Sequence, residues 1–417
     1  MDVCVSVNSK YVRYLYVMLY SLFSSNEKHE INVYVLQQDL TAEDRGLLFS
    51  LAREFSQLIY FVVVDSEKFA GVPTSMKFSV EAYFRLHMPW LIPESVKRVL
   101  YLDADILVRG DISEIFELDL AGCLFAACQD GYIPFLDEKR EKKFHRKSDY
   151  RYFNSGVMLW DLVAIRREYA FQDFMDAAKE LDYWLPFVDQ DILNYMTEGK
   201  VCFLPPDEYN CMVGVFANSE KDISKAKILH YAGRNPWRAG PKTEAYKLWW
   251  KVARKAPFYL ELLEEQVQTL EQGPEDQEIL KRKAWEIKRV FEMAYYLKGS
   301  GKIKSYVEKF KGGVVLYGAG DIGESMMRFF EDDGASRPMG FIDRVKGGEL
   351  GGIPIYPAFD WMPNDGKLLL IATPSEGTEK IVHEIRGKVG TNVLVLSAGD
   401  FLEECALSLE SKGEACA

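Results

Sequence analysis

Asp103 and Asp105 interrupt VLYLDADILVRGDISEIF, Val99 to Phe116, a run that is otherwise largely β-branched and apolar around them. A buried, unpaired carboxylate is costly, so the pair must meet solvent at a cleft or ionise against a cation. On one continuous strand, alternate side chains share a face, and the two acids would project to the same side. Carboxylates that close repel each other unless a cation lies between them, and hard divalent ions take such oxygen ligands. A cation held there can bridge to a substrate's diphosphate and neutralise a leaving group. A bare D-x-D is short and common, and two solvated acids at a strand end are the plain alternative. The apolar frame on both sides and the polar groups downstream favour the cation. His230, in ILHYAGRNPW, follows an apolar run as a strand-end ligand would, although a lone histidine is more often structural.

The frame that must hold these residues is large. A chain of 417 residues exceeds one ordinary core, and two domains are expected. Its 48% hydrophobic and 27% charged residues are those of a globular protein. The net charge of −12 argues against a nucleic-acid partner, whose phosphates need a basic face. Seven cysteines without a C-x-x-C favour reduced thiols over a disulfide frame or a zinc site. The opening MDVCVSV reads as a strand without a basic leader, so a cytoplasmic chain is expected. Residues 1–257 alternate strand-like and helix-like segments (VCVSV, INVYVL, IYFVVV, RVLYLDADILV, LFAAC, NSGVMLW, VCFLP), which predicts an α/β domain with a largely parallel sheet. Residues 258–311 are charged and helical in period and read as a helical connector. A second α/β pattern spans 312–403, and 404–417 read as a frayed tail.

The first domain resembles glycosyltransferase family 8, the group of bacterial lipopolysaccharide glucosyl- and galactosyltransferases, glycogenin and galactinol synthase. Six stretches carry the resemblance in the family's order: VCVSVNSKYVRYLYVMLYSL, EAYFRL, YLDADILVRGDI, YFNSGVMLWDL, FVDQDILN and ILHYAGRNPW. It implies a GT-A type nucleotide-sugar-binding fold, a UDP-sugar donor, a saccharide or glycolipid acceptor, and retention at the anomeric carbon. It also implies metal ligation by Asp103, Asp105 and His230, a mixed N/O set that suits Mn²⁺ (or Mg²⁺) better than Ca²⁺, with Ala104 between the acids lining the donor site. Tyr11 would stack on the uracil, and Asn8 stands where the family commonly has an aspartate. Arg85 would clamp the diphosphate or donor sugar bidentately. Asn154 would offer its amide to a sugar hydroxyl beside Ser155, with Gly156 allowing close backbone approach. Asp189 would bind donor-sugar hydroxyls, Gln190 would sit beneath the anomeric carbon, and Asp130 would line the sugar and acceptor side. Taken without the resemblance, the same residues could be a salt bridge at Arg85, turns at Asn8, Asp130 and Asn154, and an N-cap at Asp189. The family usually reads H-x-x-G-x-x-K-P-W. This chain, with Gly233 and Arg234 in His230-Tyr231-Ala232-Gly233-Arg234-Asn235-Pro236-Trp237, is one residue shorter and lacks the lysine.

A retaining enzyme could use a carboxylate nucleophile, but the matching position is Gln190, a poor one. Attack by the acceptor hydroxyl on the face from which UDP leaves is therefore the expected route. In the second domain, VVLYGAGDIGESMMRFF sets Gly318, Gly320 and Gly323 between a strand and a helix, with Asp343 after the next strand. That pattern predicts a small Rossmann-like domain that could bind a nucleotide, or a scaffold derived from one. Lys247, Lys251 and Lys255 beside Trp249 and Trp250 could rest on an anionic membrane, though such a stripe more often closes a domain. Two other functions fit the residues: a nucleotide-sugar-binding protein without turnover, and an NAD-dependent sugar-modifying enzyme acting through the second domain. The sequence leaves the oligomeric state open.

Overall fold

The computed structural model describes residues 1–407 apart from 75–78, 135–136, 146–149, 217–222, 234, 240–242, 272–277, 344–345, 358–367, 373–377, 387–388 and 390–392. The chain divides into two compact units, one of Met1–Pro236 and Pro241–Pro257, the other of Trp237–Gly240 and Phe258–Ala417.

In the first unit the strands are β1 (Asp2–Ser6), β2 (Asn32–Gln37), β3 (Leu58–Val63), β4 (Arg98–Leu102), β5 (Ile106–Val108), β6 (Phe125–Gln129), β7 (Phe153–Asp161), β8 (Val201–Leu204), β9 (Cys211–Met212) and β10 (Ile228–His230). Seven form one sheet in the order β3-β2-β1-β4-β7-β6-β8, and three form a second in the order β5-β10-β9. The sheet is less parallel than the alternation of segments predicts. β1, β2, β3 and β4 run parallel, but β7 is antiparallel to both β4 and β6. Its run NSGVMLW is apolar because the strand is central and covered on both faces, a burial that antiparallel pairing also permits. Trp160 on β7 packs edge-on to Phe125 on β6, and both rings are fully buried.

The acidic segment departs from its predicted form. RVLYLDADILV is not one strand. β4 ends at Leu102, β5 starts at Ile106 in the other sheet, and a turn carries Asp103, Ala104 and Asp105 between them. Pleat alternation therefore does not place the two acids together; the turn does. β5 pairs antiparallel with β10, which sets His230 opposite Ile106, immediately beyond the turn.

The helix Val12–Ser25 buries Leu15, Met18, Leu19, Leu22 and Phe23 at helical spacing. Its partner Glu244–Ala253 buries Trp249 and Trp250, and Trp249 lies 6.4 Å from the ring of Tyr14. The aromatic stripe thus closes the first unit, and the two indoles are not offered to a lipid surface. Among the described residues no helix is long and apolar enough to cross a membrane.

The second unit holds a six-stranded sheet of β11 (Val314–Tyr317), β12 (Gly340–Ile342), β13 (Gly348–Leu350), β14 (Ile353–Tyr356), β15 (Leu368–Ala372) and β16 (Val393–Ser397), in the order β13-β14-β12-β11-β15-β16. All neighbours are parallel except β13 and β14, a pair the sequence reading does not separate out. The stretch 258–311, expected as a connector, belongs to this unit. Val290, Ala294 and Leu297 form one helical stripe buried with Met326, Phe330 and Phe401 in a shared core. Of the tail expected over 404–417, residues 404–407 are helical, and 408–417 lie outside the described residues. The helix Ala398–Leu407 runs through residue 404 because Cys405 is fully buried against that core.

Candidate active site

The ends of β1 and β4 lie side by side, with Cys4 paired to Tyr101. Asn8 and Tyr11, just beyond β1, therefore share an edge of the sheet with Asp103 and Asp105, the position where open α/β sheets bind ligands. Tyr11 meets Tyr14 edge to face at 5.3 Å. Asn8 donates from Nδ2 to Glu81 at 3.3 Å and to Ser79 at 3.4 Å.

At this edge Asp103, Asp105 and His230 each bring one ligand atom to within 4.8 Å of the others. His230 Nε2 lies 3.3 Å from Asp105 and 3.8 Å from Asp103. Neighbouring ligands on a six-coordinate ion with bonds of about 2.1 Å stand about 3 Å apart, so a small shift would seat one. Burial pushes the Asp105 carboxyl up, but His230 outweighs it and holds the group below its ordinary value. Burial likewise disfavours a charged His230, and Asp105 and Asp103 outweigh that and raise it. Gly156 makes the arrangement possible. A Cβ there would overlap His230 Cε1 and lie 2.6 Å from Asp103 Oδ2. The backbone approach expected for a sugar is thus taken by two of the three candidate ligands.

Arg85 is buried and already committed. It donates from Nη2 to Asp103 Oδ1 at 2.8 Å and from Nη1 to the Ser155 carbonyl at 2.5 Å. Its Nε donates to the Ala82 carbonyl at 3.1 Å and also stands 3.0 Å from Asp189 Oδ2. The guanidinium stacks over Tyr101 at 4.1 Å, and one cation so holds two acids in place. Asp189 is not an N-cap; it sits in the first turn of the helix Val188–Met196, after Val188 at φ 43°, a strained value for a β-branched residue.

Burial pushes Asp189 up to about 6 from 3.8, with Arg85 opposing and Asp103 adding to the shift. A raised carboxyl means that the folded chain binds the proton more tightly than the unfolded chain. The stability linked to Asp189 is therefore full below pH 3.8 and lost as pH rises through about 6. The swing is about 3 kcal/mol. We expect Asp189→Asn to gain melting temperature relative to the wild type as the pH of the metal-free chain is raised across that window; a difference that stays flat with pH rejects this expectation.

Asp130, Asn154 and Gln190 form a closed network. Asp130 Oδ1 accepts the backbone N–H groups of Tyr132 and Ile133, and Oδ2 accepts from Asn154 and Gln190. Four donors within the protein thus engage both oxygens of Asp130, the residue expected to line the sugar and acceptor side. Asn154 gives its Nδ2 to Asp130 and to Gln190 Oε1, each at 3.0 Å, so its amide is not free for a sugar hydroxyl. Gln190 Oε1 also accepts from the Ser155 backbone at 3.0 Å. Gly233, at φ 67°, has open space around it, and Arg234 lies outside the described residues.

Three residues passed over in the sequence set this geometry. Asp191 accepts from Arg140, Tyr152 and the Phe187 backbone, and Asn194 exchanges two hydrogen bonds with the Phe153 backbone. Together they fix how the helix Val188–Met196 is turned against β7. Their signal was the density of polar residues in FVDQDILN, within a helix that is otherwise buried. Asn210, fully buried, bonds both His230 and Asn154, and one asparagine after a proline pair carries no such signal.

In the second unit, Gly323 presses on the glycine turn so closely that a Cβ would overlap the Gly318 carbonyl, while Gly320 is open. Asp343 accepts from the backbone of Ala319 at 2.8 Å and of Lys346 at 3.0 Å. Its carboxylate thus ties the turn to the end of β12.

The mixed sheet, with an acidic turn and a histidine strand at its ligand edge, defines a GT-A fold in the first unit. Residues 2–240 match the family described as Glycosyl transferase family 8, and the chain belongs to that family. It is 26% identical to the lipopolysaccharide 1,2-glucosyltransferase of Escherichia coli K12 over 60% of this chain and 77% of that one. It is 30% identical to general stress protein A of Bacillus subtilis over 58% of this chain and 89% of that one. Among solved structures, the galactosyltransferase LgtC, in complex with donor and acceptor sugar analogues, superposes with a TM-score of 0.56 at 24% identity, over 67% of this chain and 99% of that one.

Proposed function

We propose that the chain is a metal-dependent, retaining hexosyltransferase that moves a sugar from a UDP-sugar to a saccharide or glycolipid acceptor. The observation that carries this reading is the convergence of Asp103, Asp105 and His230 around the space that Gly156 leaves open. Mn²⁺ or Mg²⁺ held by these three residues would supply positive charge to the diphosphate leaving group. The relatives' names support a bacterial surface glycan as the product, and the reduced cysteines fit a cytoplasmic site of action, peripheral to the inner membrane face where the acceptor is a lipid.

The chain's own residues then have distinct tasks. Asn8 and Tyr11 would contact the uracil. Arg85 does not need to touch the diphosphate to matter: it holds Asp103 for the cation and Asp189 for the donor sugar. Gln190 Oε1 accepts two hydrogen bonds, so it would meet a developing oxocarbenium as a fixed dipole and not as a nucleophile. Because Asp130 is saturated, no free carboxylate stands ready as a base there. The acceptor hydroxyl would attack C1 from the face that UDP leaves, its oxygen forming the new bond as the C1–O bond to the diphosphate breaks. Its proton would pass to the departing phosphate oxygen. The second unit would serve as a Rossmann-like accessory domain, able to bind a nucleotide at the Gly318–Gly323 turn.

UDP release from a panel of UDP-sugars with Mn²⁺ tests the reading. Transfer or slow hydrolysis of one UDP-hexose is expected. Binding without UDP release would leave only a nucleotide-sugar-binding protein, and reduction of NAD would move the chemistry to the second unit.

A further inference from the structure

The polar network beneath the acidic turn has a direction, and it begins at His230. For Nε2 to offer a lone pair to a cation beside Asp103 and Asp105, the neutral ring must carry its proton on Nδ1. Nδ1 lies 2.8 Å from Asn210 Oδ1, the acceptor that this tautomer requires. An amide whose oxygen faces His230 must turn its nitrogen the other way, and Asn210 Nδ2 donates to Asn154 Oδ1 at 2.9 Å. That oxygen also accepts from the Gly156 backbone at 3.0 Å, so Asn154 must direct its own Nδ2 toward Asp130 and Gln190. Gln190 in turn receives the Asn154 and Ser155 donors on Oε1 and gives Nε2 to Asp130 at 3.1 Å. Every amide in this series has a donor end and an acceptor end engaged by groups of the opposite kind. Turning any one over would set donor against donor or oxygen against oxygen in a dry site.

We propose that Asn210 is a positioning residue that selects the His230 tautomer able to ligate a divalent cation and, through Asn154, holds the Gln190 amide in one orientation. The inference rests on the reading of this site as metal-dependent sugar transfer. It assigns Asn210 two separable duties. As an acceptor it orients the metal-ligand ring, and as a donor it orients the amide beneath the sugar.

Two variants of the full-length chain separate those duties, with Mn²⁺ binding followed by the electron paramagnetic resonance of the free ion and turnover followed by UDP release. Asn210→Ala removes the acceptor, and Mn²⁺ affinity should fall about 10- to 100-fold. Asn210→Asp keeps an acceptor for the Nδ1–H, so Mn²⁺ affinity should hold at the wild-type level. It has no donor for Asn154, so kcat should still drop. General loss of packing would not produce that split, and a thermal melt of the near-isosteric Asp variant checks that it folds. If Asn210→Ala binds Mn²⁺ as well as the wild type, or if Asn210→Asp keeps full kcat, the inference is overturned while the functional reading stands. A wild-type chain that binds no Mn²⁺ overturns both.

Discussion

Asp105→Asn is expected to abolish measurable Mn²⁺ binding and to slow UDP release by roughly 10³-fold, the loss of several kcal/mol of charge stabilisation. The substitution keeps the side chain's size and an oxygen facing the site but removes its negative charge. Asp105 stands 3.3 Å from His230 Nε2, which holds its carboxyl below the ordinary value and so favours the charged form a cation would need. Without it, one acid and one imidazole remain for the cation. Asp103→Asn should show the same loss of function together with a lower melting temperature. Arg85 Nη2 donates to Asp103 Oδ1 from a buried position, and a neutral amide there leaves the guanidinium poorly compensated. Calorimetric titration of Mn²⁺ and a UDP-release assay check both variants, and unchanged turnover would exclude the metal role.

Gly156→Ala, which adds one methyl group to β7, should be nearly as damaging. The new Cβ would occupy the space of His230 Cε1 and come within 2.6 Å of Asp103 Oδ2 and 3.0 Å of Asn154 Oδ1. None of these neighbours can retreat cheaply. His230 is held by Asn210, Asp103 by Arg85, and Asn154 by Asp130 and Gln190. Overpacking of this kind costs about 1–3 kcal/mol of stability. The larger effect is on the site, because the ring and the acid must separate to admit the methyl. Mn²⁺ affinity and transfer should both be lost at temperatures where circular dichroism still reports a folded chain. Wild-type Mn²⁺ affinity in this variant would show that the three ligands do not converge over Gly156.

The acidic pair was legible because two carboxylates inside an apolar run demand a partner, whatever the fold. The reason offered for their proximity was wrong. A strand's pleat would have put them on one face, whereas a turn between two sheets brings them to His230. Arg85, Asn154 and Asp130 could be singled out by residue type and context, but the groups that engage them could not. A sequence displays a guanidinium, an amide or a carboxylate as an unspent donor or acceptor, and it does not display which neighbours will saturate it. The glycine turn of the second unit follows the same rule: its shape was readable, while the engagement of Asp343 with Ala319 and Lys346 was not.

By itself the sequence determined the family, the alternation that builds each α/β unit, and the residue types at the ligand edge, since these depend on local pattern and on motifs in order. Only the tertiary structure decided that β7 runs antiparallel, that Val290 to Phe310 of the expected connector supply side chains to the second core, and that Asn210 links His230 through Asn154 to Gln190. Those outcomes arise from pairings between groups distant in the chain. Burial forces every polar atom to find a partner, and which partner it finds is set by the folded geometry.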